Sequence, residues 1–205
     1  MNQYIQTMKN ALTSYYNAAK AAEASKEQAR QRYQPEVAAQ EIRKLESSLE
    51  AQKRATISAI TEAKDKAVEA TYRWGALDGS KIDDGDMKLL KFDLSPEQFE
   101  ALVNKHKRNG TMCFILAQYA EKHNREETKP GEFGSAGRLN TLIIPSVENK
   151  IAAYKKFAES AIGTVENMDG YGWGQGVDSP VIESAVKNFG TPNPMNSAWL
   201  EALEG

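Results

Sequence analysis

The sequence predicts an all-α protein in which a long N-terminal helical arm precedes a small helical domain. Gly75 is the first of 14 glycines, and the 74 residues before it contain 15 alanines but a single proline, Pro35. Alanine is the best helix former, whereas glycine in a helix interior costs about 1 kcal/mol. No segment alternates apolar and polar residues as a half-buried strand does. These three observations favour helices throughout.

The arm, residues 1–74, is predicted to be either one helix bent at Pro35 or two helices that reverse there, because proline is tolerated at a bend or at a first helical position. At 1.5 Å per residue, residues 36–74 alone would extend roughly 58 Å, which exceeds a small domain. The arm must therefore fold back as a hairpin or pack on another chain, and the sequence leaves both open. The expected self-association seam consists of Ile42, Leu45, Leu49, Ile57 and Ile60.

A compact helical core is expected over residues 75–163, and its clearest element is a helical hairpin at 95–123. Ser95, Pro96 and Gln98 have the order of an N-cap, a first helical residue and a capping-box glutamine. The first helix is expected to end at Asn109-Gly110, and Thr111 to cap the second. Apolar residues spaced by three and four then predict a helix over 139–162, which Gly163 would end.

The remaining segment, 164–205, combines a glycine-aromatic string with two short helices. Ser179-Pro180 and Asn193-Pro194 are the predicted helix starts. Within the string, Tyr171 and Trp173 alternate with glycines. They could cover the protein's own core as a lid or enter a partner's pocket, and with Trp199 they are the candidate contacts for a second protein.

Composition excludes several classes of function. A net charge of −2 does not suit a protein that coats nucleic acid, and one cysteine allows neither a disulfide framework nor a multi-thiolate metal site. The longest apolar runs are about five residues, whereas a membrane span needs roughly 20. The N-terminus lacks the basic and apolar regions of a signal peptide. We therefore expect a soluble intracellular protein without a membrane partner.

The residue types that carry chemistry have structural interpretations in this chain. His106 and His123 fall in the last turns of predicted helices, where a cation is favourable, and Cys113 lies on an apolar helix face. The aspartates of the acidic loop 78–86 do not match the spacing of a calcium-binding loop, so we expect them to be solvated and to cap the next helix. No catalytic residue, metal site or cofactor is predicted, and the protein is not expected to be an enzyme.

A resemblance is carried by the segment FDLSPEQFEALVNKHKRNGTMCFILAQYAEKHN, residues 92–124. A capped helix leads through Asn-Gly-Thr-Met into a helix that ends in Tyr-Ala-x-x-His. This stretch, about a sixth of the chain, resembles small proteins of tailed phages and prophages of Gram-positive bacteria, as does the Ala/Glu/Lys-rich arm before it. The resemblance implies a role in a phage structural module and transfers no catalytic residues.

The expected function is therefore non-enzymatic self-association in phage particle assembly or structure, as a scaffold-like, capsid-associated or head-completion protein. Its partners would be itself and another phage structural protein, in the host cytoplasm during assembly and in the virion if it stays there. The alternative is a small helix-turn-helix nucleic-acid-binding regulator. That function would use the basic turn formed by Lys105, Lys107 and Arg108, although three bases are few for phosphate binding.

Overall fold

The computed structural model describes residues 2–127, 138–168, 176–193 and 196–203, and these residues confirm the all-α prediction. They form eight α-helices and two 3₁₀ turns, Gly79–Lys81 and Thr141–Ile143, with no strand. The helices are α1 Gln3–Arg32, α2 Pro35–Gly75, α3 Asp84–Leu89, α4 Pro96–His106, α5 Gly110–Glu127, α6 Val147–Asn167, α7 Pro180–Lys187 and α8 Ser197–Leu203. None of the described helices is both long and apolar enough to cross a membrane.

The chain divides into two compact units whose boundaries differ from those predicted at residues 74 and 163. The first unit comprises Met1–Ala67 and Tyr154–Ser197, and the second comprises Val68–Ala153 and Ala198–Gly205. Helices α2 and α6 each continue from one unit into the other. Glycine therefore marks helix ends in this chain rather than unit boundaries, and not always those, because α6 passes through Gly163 and ends at Asn167.

In the first unit, the arm reverses at Pro35 to form an intramolecular hairpin. Helix α1 ends at Arg32 and α2 starts at Pro35, where a missing backbone N–H costs no helical hydrogen bond. The ammonium group of Lys26 lies 3.6 Å from the carboxylate of Glu46. In one continuous helix the backbones of residues 26 and 46 would be about 30 Å apart. The contact therefore requires antiparallel helices, so Pro35 is a reversal and not a kink.

The open end of this hairpin has a well-packed core. The Asn2 amide donates to the Tyr154 hydroxyl at 2.7 Å, and Tyr4 meets the Tyr154 ring edge to face at 5.9 Å. Helix α7 packs on α1, and Phe157 of α6 contacts Phe189 beyond α7 at 5.7 Å between centroids. The largest fully buried side chains of this unit are Ile5, Met8, Leu12, Tyr15, Ile60, Phe157 and Val165.

The closed end of the hairpin has almost no core. Among residues 20–59, all of which are described, only Ala29 and Ala38 are buried. Ile42, Leu45 and Leu49 of α2 are only part-buried there. We call residues 20–53 the distal hairpin.

The second unit is built around the predicted helical hairpin, now α4 and α5. Ser95 and Gln98 form a reciprocal capping box, with Pro96 in the first turn of α4. The turn differs from the prediction in one detail. The side chain of Asn109, not that of Thr111, accepts from the backbone N–H of Met112 at 3.2 Å, so α5 starts at Gly110, two residues earlier than a cap at Thr111 would place it. The core cluster consists of Phe99, Leu102, Val103, Cys113, Leu116, Ala120, Leu139 and Ile144.

Trp74, near the end of α2, contacts both the α4–α5 turn and α6 within this unit. Its indole N–H donates to the carbonyl of Arg108 at 3.0 Å, and the buried ammonium group of Lys150 lies 4.7 Å from its ring centroid. The backbone of Trp74 approaches α5 so closely that a Cβ atom at Gly110 would lie 2.1 Å from its carbonyl oxygen. Glycine is therefore required at the start of α5 by close backbone contact.

Two alanine substitutions in helices should have opposite effects on stability. Gly110→Ala forces backbone against backbone, so we expect it to lower the free energy of unfolding by about 1–3 kcal/mol. Gly163→Ala, where a Cβ would meet nothing within 4 Å, should raise it by about 0.5–1 kcal/mol. Urea unfolding followed by circular dichroism measures both. Equal effects of the two substitutions would contradict the close packing described at Trp74.

Candidate functional site

The densest group of charged side chains in the described residues lies in the second unit, where α3 meets the end of α4. The short helix α3 was not predicted: its residues were assigned to the acidic loop. Asp83 caps it by accepting from the backbone N–H of Asp86 at 3.0 Å. Asp83 thus caps a helix that was not predicted, whereas Ser95 caps the predicted helix that follows, α4. The expectation that the aspartates of this loop are solvated is wrong for Asp86, which is buried.

Asp86 is the centre of this cluster. Its carboxylate contacts Nε2 of His106 in a short hydrogen bond and accepts from the Lys105 ammonium group at 2.6 Å. Both Asp86 and His106 are buried. The hydrogen bonds from Lys105 and then from His106 hold the pKa of Asp86 below its ordinary value. The ion pair therefore joins α3 to the C-terminal turn of α4.

The cluster has the donor types of a metal site but also contains its own cation. Ligand atoms of Asp83, Asp86 and His106 lie within 4.8 Å of one another. The Lys105 ammonium group lies 2.6 Å from the Asp86 carboxylate and 3.4 Å from that of Asp83. It already neutralises the oxygens that a divalent ion would need, so the arrangement is a structural ion pair network.

This placement bears on the nucleic-acid alternative. Lys105 is engaged by the two aspartates, Lys107 is part-buried, and only Arg108 of the three is both exposed and without a side-chain ion pair among the described residues. The first turn of α5, which would read bases in a helix-turn-helix protein, instead buries Thr111, Met112 and Cys113. The described geometry gives this alternative no support.

Cys113 lies in the core of the second unit, as its apolar surroundings in the sequence indicate. It is 2% exposed, and burial raises the pKa of its thiol to about 11. A thiol with so high a pKa is protonated near neutral pH and is a poor nucleophile. The side chain acts as a small apolar residue.

The predicted self-association seam lies on one side of α2. Ile60 is fully buried in the open end of the hairpin, whereas Ile42, Leu45, Leu49 and Ile57 are only part-buried. Of the five seam residues, one therefore belongs to the core of the first unit, and the other four keep apolar surface that a partner could contact. Two exposed residues at the reversal, Tyr33 and Val37, add apolar surface beside this seam.

The candidate partner contacts are only partly placed. Tyr171 and Trp173 lie outside the described residues, and Trp199 is part-buried on α8. Comparison of the chain with protein-family models, curated proteins and solved structures finds no match. Geometry alone therefore carries the functional argument.

The Asp86 ion pairs make a pH-dependent contribution to stability that can be measured. Because folding depresses the pKa of this carboxyl, its stabilisation is present above the unfolded-state value of about 4 and is lost as the pH falls below it. We expect Asp86→Asn to cost about 1–3 kcal/mol at pH 7, and the difference from the parent protein to shrink below about pH 4.

Asp84→Asn is the matched control, since Asp84 is exposed in the same helix and the charge change is identical. It should change the free energy of unfolding by about 0.5 kcal/mol or less. Denaturant unfolding at pH 7, 5 and 3 distinguishes the two. A cost for Asp86→Asn that is independent of pH would contradict the ion pair's role.

Proposed function

We propose that the protein is a non-enzymatic helical assembly protein whose distal hairpin pairs with that of a second copy. The observation that carries the proposal is the incomplete burial of the distal hairpin. Leu45 and Leu49 are only part-buried, and Ala29 and Ala38 are the only buried residues of this segment. Two helices packed in this way lack the core that stabilises long helices in water.

The sparse core of the segment supports a need for a partner. The 34 residues of the distal hairpin belong to the first unit, but the largest fully buried side chains of that unit all lie outside them, so little apolar burial offsets the cost of ordering the segment. The single cysteine, Cys113, lies in the other unit. Pairing two hairpins as a four-helix bundle would cover the part-buried leucines with apolar side chains of the second copy.

The charge distribution of the distal hairpin is compatible with self-pairing. It carries seven basic and six acidic residues, a difference of +1. Several charges are already paired along the same helix: Lys26 with Glu23, Arg30 with Glu27, and Lys44 with Glu41. Two such surfaces approach without the like-charge repulsion that a strongly acidic or basic arm would suffer.

The proposal that the protein is not an enzyme is supported by the engagement of its reactive groups. His106 and Lys105 bind Asp86, and the thiol of Cys113 is buried with a raised pKa. These groups hold elements together instead of facing an open cavity. The proposed function is therefore structural: the distal hairpin provides a helical surface through which copies of the protein associate.

The setting we propose for this self-association is assembly of a tailed-phage particle, as a scaffold-like, capsid-associated or head-completion component. Its support is the resemblance of residues 92–124, in which the predicted capped helix and Asn-Gly turn are present as α4 and α5. A further phage structural protein would be the second partner, with Trp199 and the glycine-aromatic string as contacts. The protein would act in the host cytoplasm during assembly and stay in the virion if it remains bound.

The test is the absolute mass in solution, measured by light scattering behind a sizing column over a range of concentrations. We expect the parent chain to form a dimer or a higher oligomer. The double variant Leu45→Asp, Leu49→Asp should be monomeric at the same concentration, because it places charges in the apolar seam. Ser47→Asp, Ser48→Asp is the matched control, since both serines are exposed on the same helix turns, and it should keep the parent mass.

A second variant separates loss of pairing from loss of folding. Tyr33→Ser, Val37→Ser removes exposed apolar area at the reversal without touching a buried side chain, so it should weaken association and leave the helical circular dichroism unchanged. A parent chain that is monomeric at about 100 μM, or a double aspartate variant that keeps the parent mass, would refute the proposal.

A further inference from the structure

A polar cleft in the second unit has the composition of an anion-binding site. It has a volume of about 410 Å³ and is lined by Glu121, Asn124, Arg125, Arg138 and Thr141. The cleft lies between the last turns of α5 and the segment that enters the 3₁₀ turn Thr141–Ile143. We infer that this cleft binds the oxyanion group of a small molecule, either a phosphate monoester or a carboxylate.

The charge of the lining favours an anion. Two guanidinium groups and one carboxylate line the cleft, and arginine presents paired donors that match the oxygens of phosphate and carboxylate groups. Among the described residues Arg138 has no ion pair, so its positive charge is available to a ligand. An exposed arginine of this kind binds an oxyanion more strongly when a second arginine faces the same space.

The second arginine is held only weakly by its own partner. The guanidinium group of Arg125 lies 3.5 Å from the carboxylate of Glu121, and both side chains are largely exposed. Exposed ion pairs within one helix contribute about 0.3–0.5 kcal/mol. A ligand oxyanion that contacts both arginines can therefore replace Glu121 at small cost.

The two arginines are positioned by a rigid contact between their elements. The Asn124 side chain donates to the carbonyl of Leu139 and accepts from its N–H, both at 2.9 Å. Leu139 is itself buried in the core cluster. Since Asn124 precedes Arg125 and Leu139 follows Arg138, this amide clamp fixes the backbone beside each guanidinium group before any ligand arrives.

The cleft, with a volume of about 410 Å³, has room for a small molecule. Ligand sites commonly measure about 300–1,000 Å³, so the cleft has room for an organic body attached to the oxyanion. The Thr141 hydroxyl and the Asn124 amide are further polar groups on the lining. Binding at this cleft depends on its own residues alone and is independent of self-association through the distal hairpin.

The experiment titrates the full chain calorimetrically with three probes that share a benzene ring: phenyl phosphate, benzoate and neutral benzamide. We expect saturable binding of at least one anion and none of benzamide. Tighter binding of phenyl phosphate would identify phosphate monoesters as the ligand class, and tighter binding of benzoate would identify carboxylates. Absence of saturable binding by both anions, or equal binding of benzamide, would overturn the inference.

Four variants then test the geometry. Arg125→Gln and Arg138→Gln should each weaken binding about tenfold, which corresponds to about 1.4 kcal/mol. Glu121→Gln should tighten it, because it releases Arg125 and removes a negative charge. Arg43→Gln, an exposed arginine of the distal hairpin, makes the same charge change outside the cleft and should have no effect.

Glu121→Gln and Arg125→Gln break the same exposed ion pair. If these residues had only a structural role, both substitutions would change the binding affinity in the same direction, whereas a binding site predicts opposite changes. Circular dichroism and thermal unfolding confirm that each variant is folded. If Arg43→Gln weakens binding as much as Arg125→Gln does, the attraction is that of net charge alone and the cleft is not a site.

Discussion

The structure of the arm depends on one constraint: large apolar side chains are buried at the open end of the α1–α2 hairpin, whereas only Ala29 and Ala38 are buried in the distal hairpin. Two alanines remove little apolar area from water. Near the open end, α6 and α7 add the missing cover and the core closes around Ile5, Met8 and Leu12. Toward the reversal no described element supplies that cover. The distal hairpin therefore keeps part-buried leucine and isoleucine side chains, which is the observation behind the proposed pairing.

In contrast to the distal hairpin, the second unit buries its large apolar side chains in a core of its own. Phe99, Leu102 and Leu116 belong to a contiguous core. Near it, the Trp74 indole donates to the carbonyl of Arg108, and the Asp86 carboxylate binds Lys105 and His106, both at the end of α4. Nδ1 of His123, in contrast, is buried without a hydrogen-bond partner among the described residues. What remains accessible is the arginine cleft, whose charges are paired only weakly or not at all among the described residues.

Much of this architecture follows from local sequence rules, and the parts that do not are long-range. The capped start of α4, the Asn-Gly turn and the end of α2 at Gly75 are short-range effects of capping and backbone freedom, so they could be predicted. Asp86 and His106 contact each other although they are 20 residues apart on different helices, and no rule of sequence spacing predicts such a contact. The direction of the arm could not be chosen, because an alanine face packs equally well within a chain or between chains. The cleft could not be predicted for a similar reason: Arg125 and Arg138 line it together because long-range contacts, including the Asn124–Leu139 hydrogen bonds, join their elements.

Hydrogen–deuterium exchange at two protein concentrations tests the central claim most directly, namely that a second copy completes the distal hairpin. Backbone amides of residues 37–53 should exchange at least about tenfold more slowly at high concentration than at low, because pairing opposes local opening. Amides of α4 and α5 serve as the internal reference and should exchange equally at both concentrations. If residues 37–53 exchange at a rate independent of concentration, the hairpin is stable or frayed on its own, and pairing with a second copy is contradicted.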